Sequence, residues 1–299
     1  MRTSPASRNA ALYALTAVLF WSTAATAFKL ALRNAPVLTV LVTASLTSLA
    51  VFTAALALRG RLVSSVRMSR REWAWSALMG LLNPFLYYIV LFTAYDRLPA
   101  QQALVLNYTW PVVLSVFAAI LLRRPLGVRG MVSLAAGFAG VVLVVTGGRL
   151  SGLRFSDPVG VSLAVGSAAV WALYWIGGLG DSRGGLEKLW SYFLFGSAYI
   201  IVFAHLAGAP LFASVPGMLG GMYIGVFEMG VTFLLWTTAL ALTVHTARIA
   251  NLVFLSPFLS LVWIYLVLGE SVNPATIAGL VLIVCGIVVQ GRGKAMKPE

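Results

Sequence analysis

Apolar residues run along this chain in long stretches, broken at short intervals by charge, glycine and proline. Read between those breaks, the pattern predicts ten helices, over residues 10–32, 36–58, 73–94, 99–122, 128–147, 157–178, 188–207, 215–241, 246–268 and 272–290. A helix that crosses a bilayer needs about 20 predominantly apolar residues, and these stretches are of that size. The segments between them are too short to form a soluble domain. Composition agrees: 60% of the 299 residues are hydrophobic and 10% charged, against about 25% charged in a soluble domain. Mean hydropathy is +0.94. The expected fold class is an all-α polytopic membrane protein.

The net charge of +13 would suggest a nucleic-acid partner in a soluble chain. Here the basic residues sit in loops, where they set orientation and meet anionic lipid headgroups, so no nucleic-acid partner is expected. Sixteen of the 21 Lys and Arg fall on one side of the predicted spans, five of them in the loop after the second helix (Arg59, Arg61, Arg67, Arg70, Arg71). Lys29, Arg33, Arg97, Arg149 and Arg154 fall on the other. Both termini are therefore expected to be cytoplasmic. Arg2, Arg8, the apolar run from Ala10 and Ala25-Thr26-Ala27 resemble a signal peptide and cleavage site. The run continues to Leu32 and is matched later in the chain, so it is expected to be retained as the first span. The single cysteine, Cys285, lies in an apolar run and reads as a packing residue.

The two halves resemble each other. Asn107-Tyr108-Thr109-Trp110-Pro111 and Val253-Phe254-Leu255-Ser256-Pro257 each precede an apolar run, with the prolines 146 residues apart. The same offset carries Gly140 onto Gly286, and an offset of 150 carries Trp21 onto Trp171. Residues 1–150 and 151–299 then form repeats of five helices each. An odd number inverts the second repeat in the membrane, and such repeats flank a substrate cavity near the midplane in transporters.

Enzymatic constellations are scarce. Neither His205 nor His245 has a metal-ligand partner at suitable spacing, and no glycine loop for nucleotide phosphates occurs, so no metal, cofactor or enzymatic activity is expected. Of eight acids only Glu228 falls in mid-span. A carboxylate there faces a wet cavity, contacts a substrate ammonium, couples protons, or is bonded to a neighbouring helix. Lys29 either snorkels to the interface or draws a carboxylate into an outer vestibule.

Trp73, Trp75 and Trp190 start helices and read as interfacial anchors, whereas Trp236 and Trp263 read as packing. Trp21, Trp110 and Trp171 lie too deep for the interfacial belt and are candidates to line a cavity. Candidate polar contacts beside them are Asn83, Tyr87 and Tyr88 on the third helix, Asn107 and Tyr108 on the fourth, Tyr174 on the sixth and Asn251 on the ninth. Asn107 and Trp110 share a helix face, as do Trp171 and Tyr174. An aromatic-walled cavity with few charges suits a flat, partly apolar molecule, and its ring faces attract an ammonium. Pro84, Pro111 and Pro257 remove helical hydrogen bonds in mid-span and are candidate kinks or hinges.

The ten helices in two repeats, Trp21 eight residues before Lys29, and the proline-centred fourth helix of each repeat, ending at Leu268-Gly269-Glu270 in the second, resemble the EamA branch of the drug/metabolite transporter superfamily. Ser22 stands where that family often has Gly, and Arg124 where a Glu is usual. Within the branch the chain is similar to the YddG-type aromatic amino-acid exporters of bacterial inner membranes. The resemblance implies a multi-pass inner-membrane secondary transporter that exports amino acids with aromatic or bulky apolar side chains by alternating access, and ten helices can enclose its cavity as a monomer. A multidrug exporter of aromatic cations is the nearest alternative, and a non-transporting scaffold or receptor is the alternative of another class.

Overall fold

The computed structural model describes residues 5–121, 127–149, 157–242, 249 and 251–291. Ten apolar helices account for nearly all of them: α1 (Pro5–Leu32), α2 (Val37–Leu58), α3 (Arg70–Arg97), α4 (Ala100–Leu121), α5 (Val128–Thr146), α6 (Pro158–Gly178), α7 (Gly185–Leu206), α8 (Val215–Ala241), α9 (Asn251–Leu268) and α10 (Pro274–Gly291). The first nine are long and apolar enough to cross a membrane, and α10 is a shorter apolar helix among the described residues.

Helix ends follow capping rather than hydropathy. The Ser69 hydroxyl accepts from the Glu72 amide at 3.2 Å, and the Glu72 carboxylate accepts from the Ser69 amide at 2.7 Å. This reciprocal box starts α3 three residues before the apolar run begins, so Arg70, Arg71 and Glu72 belong to the helix. Asp157 caps α6 through the Gly160 amide (2.9 Å), with Pro158 in the first turn.

The helices pair in equivalent sets. α1 lies against α8 and α9, as α6 lies against α3 and α4; α2 packs on α7 and α8, as α7 packs on α2 and α3; and α5 pairs with α10. The result is two inverted five-helix repeats around a central cavity. Without a hydrophobic drive between spans, such pairs are held by close backbone approach at small residues. A Cβ on Gly140 would meet the Gly279 carbonyl oxygen at 2.6 Å, and one on Gly279 would meet the Gly140 oxygen at 2.7 Å. The α3–α7 crossing is as tight: a Cβ on Gly80 would lie 2.5 Å from the Tyr192 oxygen, and one on Gly196 would lie 2.3 Å from Pro84. Ser22, the departure from the family pattern, ties α1 to α9: its hydroxyl accepts from the Trp263 indole (3.1 Å) and its carbonyl from Ser260 (2.7 Å).

Equivalent helices are interrupted at equivalent depths. α3 opens into a wide turn at Leu81–Leu86, with Asn83 extended (φ −146°, ψ 123°), and α8 does so at Ile224–Glu228. α4 breaks between Asn107 and Trp110, and α9 begins as a 3-10 segment, Asn251–Leu255, before its regular part starts at Ser256. Pro111 and Pro257 are the second residues of the regular segments after those interruptions, where a missing N–H leaves no hydrogen bond unmade. Backbone groups freed inside a bilayer must find partners. In α8 the buried Ser48 hydroxyl donates to the Gly225 carbonyl (2.7 Å) and Thr232 donates to that of Phe227.

Candidate functional site

The interruptions surround a cavity of about 410 Å³ walled by α1, α3, α4, α6, α8, α9 and α10. Eight residues singled out from the sequence line it: Trp21, Tyr87, Asn107, Tyr108, Trp110, Trp171, Glu228 and Asn251. Three do not. Asn83, where α3 unwinds, and Tyr88 are fully buried. Tyr174 sits one layer behind the wall, its ring stacked on Trp171 at 5.3 Å and 25°. The sequence reading missed Phe28, Tyr95, Phe233 and Trp175, and it took Trp236 as packing; all five are on the wall. Trp175 had a signal, since it lies one helical turn beyond Trp171.

The wall is a chain of touching rings. Trp21 meets Trp236 at 5.2 Å and Phe233 edge-on at 5.7 Å. Phe233 meets Trp171 at 6.0 Å, and Trp171 stacks on Tyr87 at 4.6 Å. Trp110 and Trp175 lie nearly parallel, 6.3 Å apart. Each such contact is worth about 0.5–1.5 kcal/mol beyond the area buried, so the rings brace one another and present flat faces to the cavity.

Glu228 and Asn107 are two of the polar groups on this surface. Glu228, 8% exposed, lies at the end of the α8 interruption, and both its oxygens accept from the buried Tyr88 hydroxyl, at 3.0 and 2.9 Å. Asn107 ends the first part of α4. Its amide nitrogen donates to Ser167 on α6 at 2.9 Å, and its carbonyl oxygen is 3.4 Å from the Tyr87 hydroxyl.

Both ends of the bundle carry polar networks. At the end with the α1–α2 and α3–α4 loops, the Lys29 ammonium donates to the carbonyls of Tyr95 (2.7 Å) and Leu98 (2.9 Å). Lys29 thus satisfies carbonyls that the end of α3 would leave orphaned. Glu270 accepts from the Ala100 amide at the start of α4 (3.1 Å), and Gln101 binds the Ser271 carbonyl (2.9 Å) and the Asn273 amide (3.0 Å). Inward of these, Phe28 packs on Phe92 and Tyr95 at 4.7 and 5.1 Å, and Phe28 and Tyr95 both line the cavity.

At the end with the α2–α3 and α6–α7 loops, Arg183 pairs with Asp181 at 2.6 Å and donates to Ser76 on α3 at 2.8 Å. Tyr192 on α7 donates to the same carboxylate at 2.6 Å. Burial pushes the Asp181 carboxyl up, but the hydrogen bonds from Arg183 and Tyr192 outweigh it and hold the group at about 2. Trp190, expected as an interfacial anchor, is instead buried near this end and donates to Thr53 on α2 at 3.1 Å. Asn251 is exposed, at the start of α9. His245 and part of the predicted ninth helix (246–248 and 250) lie outside the described residues, as does the boundary between repeats near residue 150. Among the described residues no group of His, Cys, Asp and Glu could hold a metal ion.

Fold and site together define a polytopic helical membrane protein whose two repeats enclose an aromatic, weakly charged cavity at mid-depth. The model of the EamA-like transporter family matches residues 8–146 and again residues 158–291. The chain belongs to that family. Among its relatives, the aromatic amino acid exporter YddG of Ancylobacter novellus is 26% identical over 290 residues, covering 96% of each chain. The uncharacterized transporter YvbV of Bacillus subtilis is 27% identical over 237 residues, covering 76% of this chain and 75% of that one. A solved crystal structure shares the fold with a TM-score of 0.64 at 24% identity, covering 94% of this chain and 95% of its own.

Proposed function

We propose that this protein is a secondary carrier that exports amino acids with aromatic or bulky apolar side chains across a bacterial inner membrane. The observation that carries the reading is the unbroken ring wall, Trp236–Trp21–Phe233–Trp171–Tyr87, around a cavity of amino-acid size. A relative that covers 96% of the chain bears the name of an aromatic amino acid exporter, which favours the same substrate class. Trp21, Trp110 and Trp171 hold the apolar part of the substrate, while Asn107 and Glu228 meet its polar head. Asn83 and Tyr174 support this shell from behind.

Transport proceeds by alternating access, one five-helix repeat (1–150) rocking against the other (151–299), with Pro84, Pro111 and Pro257 beside the interruptions as hinge points. Both termini face the cytoplasm. The protein is a carrier rather than an enzyme, scaffold or receptor, and a monomer suffices because one chain encloses the cavity.

A second reading has one observation in its favour: the cavity lining includes a carboxylate, Glu228, and no Lys, Arg or His among the described residues. That suits an aromatic cation. Glu228→Gln separates the two. An exporter of permanent cations loses most of its flux, whereas an aromatic amino-acid exporter keeps measurable flux at raised half-saturation.

A further inference from the structure

The orientation of the Asn107 side-chain amide follows from its partner. Ser167 is buried, and its hydroxyl donates to the Ala164 carbonyl at 2.6 Å. A carbonyl can only accept, so the one Ser167 proton is spent there, and the Ser167 oxygen must accept from whatever else it touches. The atom of Asn107 lying 2.9 Å away is therefore the NH₂ group. The Asn107 carbonyl oxygen is turned to the Tyr87 side, where the hydroxyl is 3.4 Å distant, longer than a normal hydroxyl-donated bond and weak.

Glu228 shows the same polarity. Its one hydroxyl partner, Tyr88, is shared between two oxygens, and a carboxylate has about four acceptor sites. Tyr87 and Tyr88 are consecutive, with ring centroids 4.8 Å apart, so the two hydroxyls that lie closest to these groups are both directed at acceptors. Acceptor capacity therefore remains at Glu228 and at the weakly engaged Asn107 carbonyl oxygen, beside one Asn107 N–H that Ser167 does not take, and the described lining holds no cationic side chain for an anion.

We infer that the site selects its substrate by the N–H groups of a primary ammonium, received jointly by Glu228 and Asn107, and that a substrate carboxylate is dispensable. Ser167 is the positioning residue that makes Asn107 an acceptor. The recognised class is then aromatic primary amines, of which amino acids are the carboxylated members. This inference rests on the aromatic-substrate reading above and narrows it.

The test is a competition series in proteoliposomes and, independently, a thermal-shift series on purified protein in detergent, using tryptophan, tryptamine, indole-3-propionate and N,N,N-trimethyltryptammonium. All four keep the indole and vary only the head. Tryptamine is expected to compete at least as well as tryptophan, with the carboxylate-only and trimethylated compounds at least tenfold weaker. Ser167→Ala should weaken tryptamine roughly three- to tenfold, the loss of about one hydrogen bond, and leave the weak indole-3-propionate competition unchanged. A structural defect would lower both alike. Equal competition by indole-3-propionate and tryptamine overturns the inference and spares the aromatic reading, and equal competition by the trimethylated amine removes the N–H requirement. Absence of both competition and stabilisation with all four indoles overturns the aromatic reading itself.

Discussion

At the scale of single residues, the cavity wall gains its adhesion from ring faces. Trp21→Ala and Trp171→Ala each remove ring contacts worth about 0.5–1.5 kcal/mol, so each should raise the half-saturation for an aromatic amino acid roughly two- to tenfold. Concentration-dependent uptake with a labelled substrate measures this, and alanine at Trp21, Trp110 and Trp171 together should abolish it. Unchanged uptake by the inserted triple variant would remove the wall from the mechanism. Trp21, Trp110, Trp171 and Glu228 were legible in the sequence because tryptophan and charge deep in a span are costly without a use. The misses have a geometric cause. Tyr174 and Trp175 both share a face with Trp171, and spacing alone does not tell which of the two neighbouring directions points inward. Phe233 and Trp236 follow the α8 interruption at Ile224–Glu228, which resets the helical phase, so periodicity counted from Glu228 does not reach them.

At the scale of elements, loops and crossings set stability. Asp181 is held at about 2 by Arg183 and Tyr192, below an unfolded carboxyl near 3.9. A depressed carboxyl contributes stability that is fully present above the unfolded value and disappears as pH falls toward the folded one. The melting temperature should therefore drop between about pH 4 and pH 2 more steeply for the wild type than for Asp181→Asn, as read by thermal unfolding in detergent; parallel curves would contradict this. The α5–α10 crossing makes a second test. Because a Cβ at Gly140 would strike the Gly279 backbone oxygen at 2.6 Å, Gly140→Leu should force the helices apart and lower the melting temperature by several degrees. The same change at Gly166, where a Cβ meets nothing within 4 Å, should not. Helix number and order were readable from hydropathy, which reports burial in lipid. The starts of α3 and α7 lie three residues earlier than the apolar runs suggest, because a capping box and ordinary helical continuity carry polar residues into the first turn. The prolines showed where α4 and α9 are interrupted, but not that Pro111 and Pro257 begin the segments after the breaks.

At the scale of the molecule, two inverted repeats place four helix interruptions around one cavity, with Phe28 and Tyr95 on its wall and the Lys29 cap toward one end. That arrangement brings aromatic side chains of both repeats onto one cavity wall. The repeat was visible in sequence through the matched prolines, glycines and tryptophans, whereas the networks at the two ends were not. At one end they depend on pairs such as Glu270 with the start of α4, which are 169 or more residues apart and leave no local pattern. The most direct test of the whole account is counterflow in proteoliposomes preloaded with unlabelled tryptophan, phenylalanine, alanine or a quaternary aromatic cation, with labelled tracer outside and no ion gradient. Transient accumulation of tracer driven by tryptophan or phenylalanine, and not by alanine, is the result the account predicts. Accumulation driven by the quaternary cation alone, or none with any of the four in vesicles whose protein is shown to be folded, would contradict it.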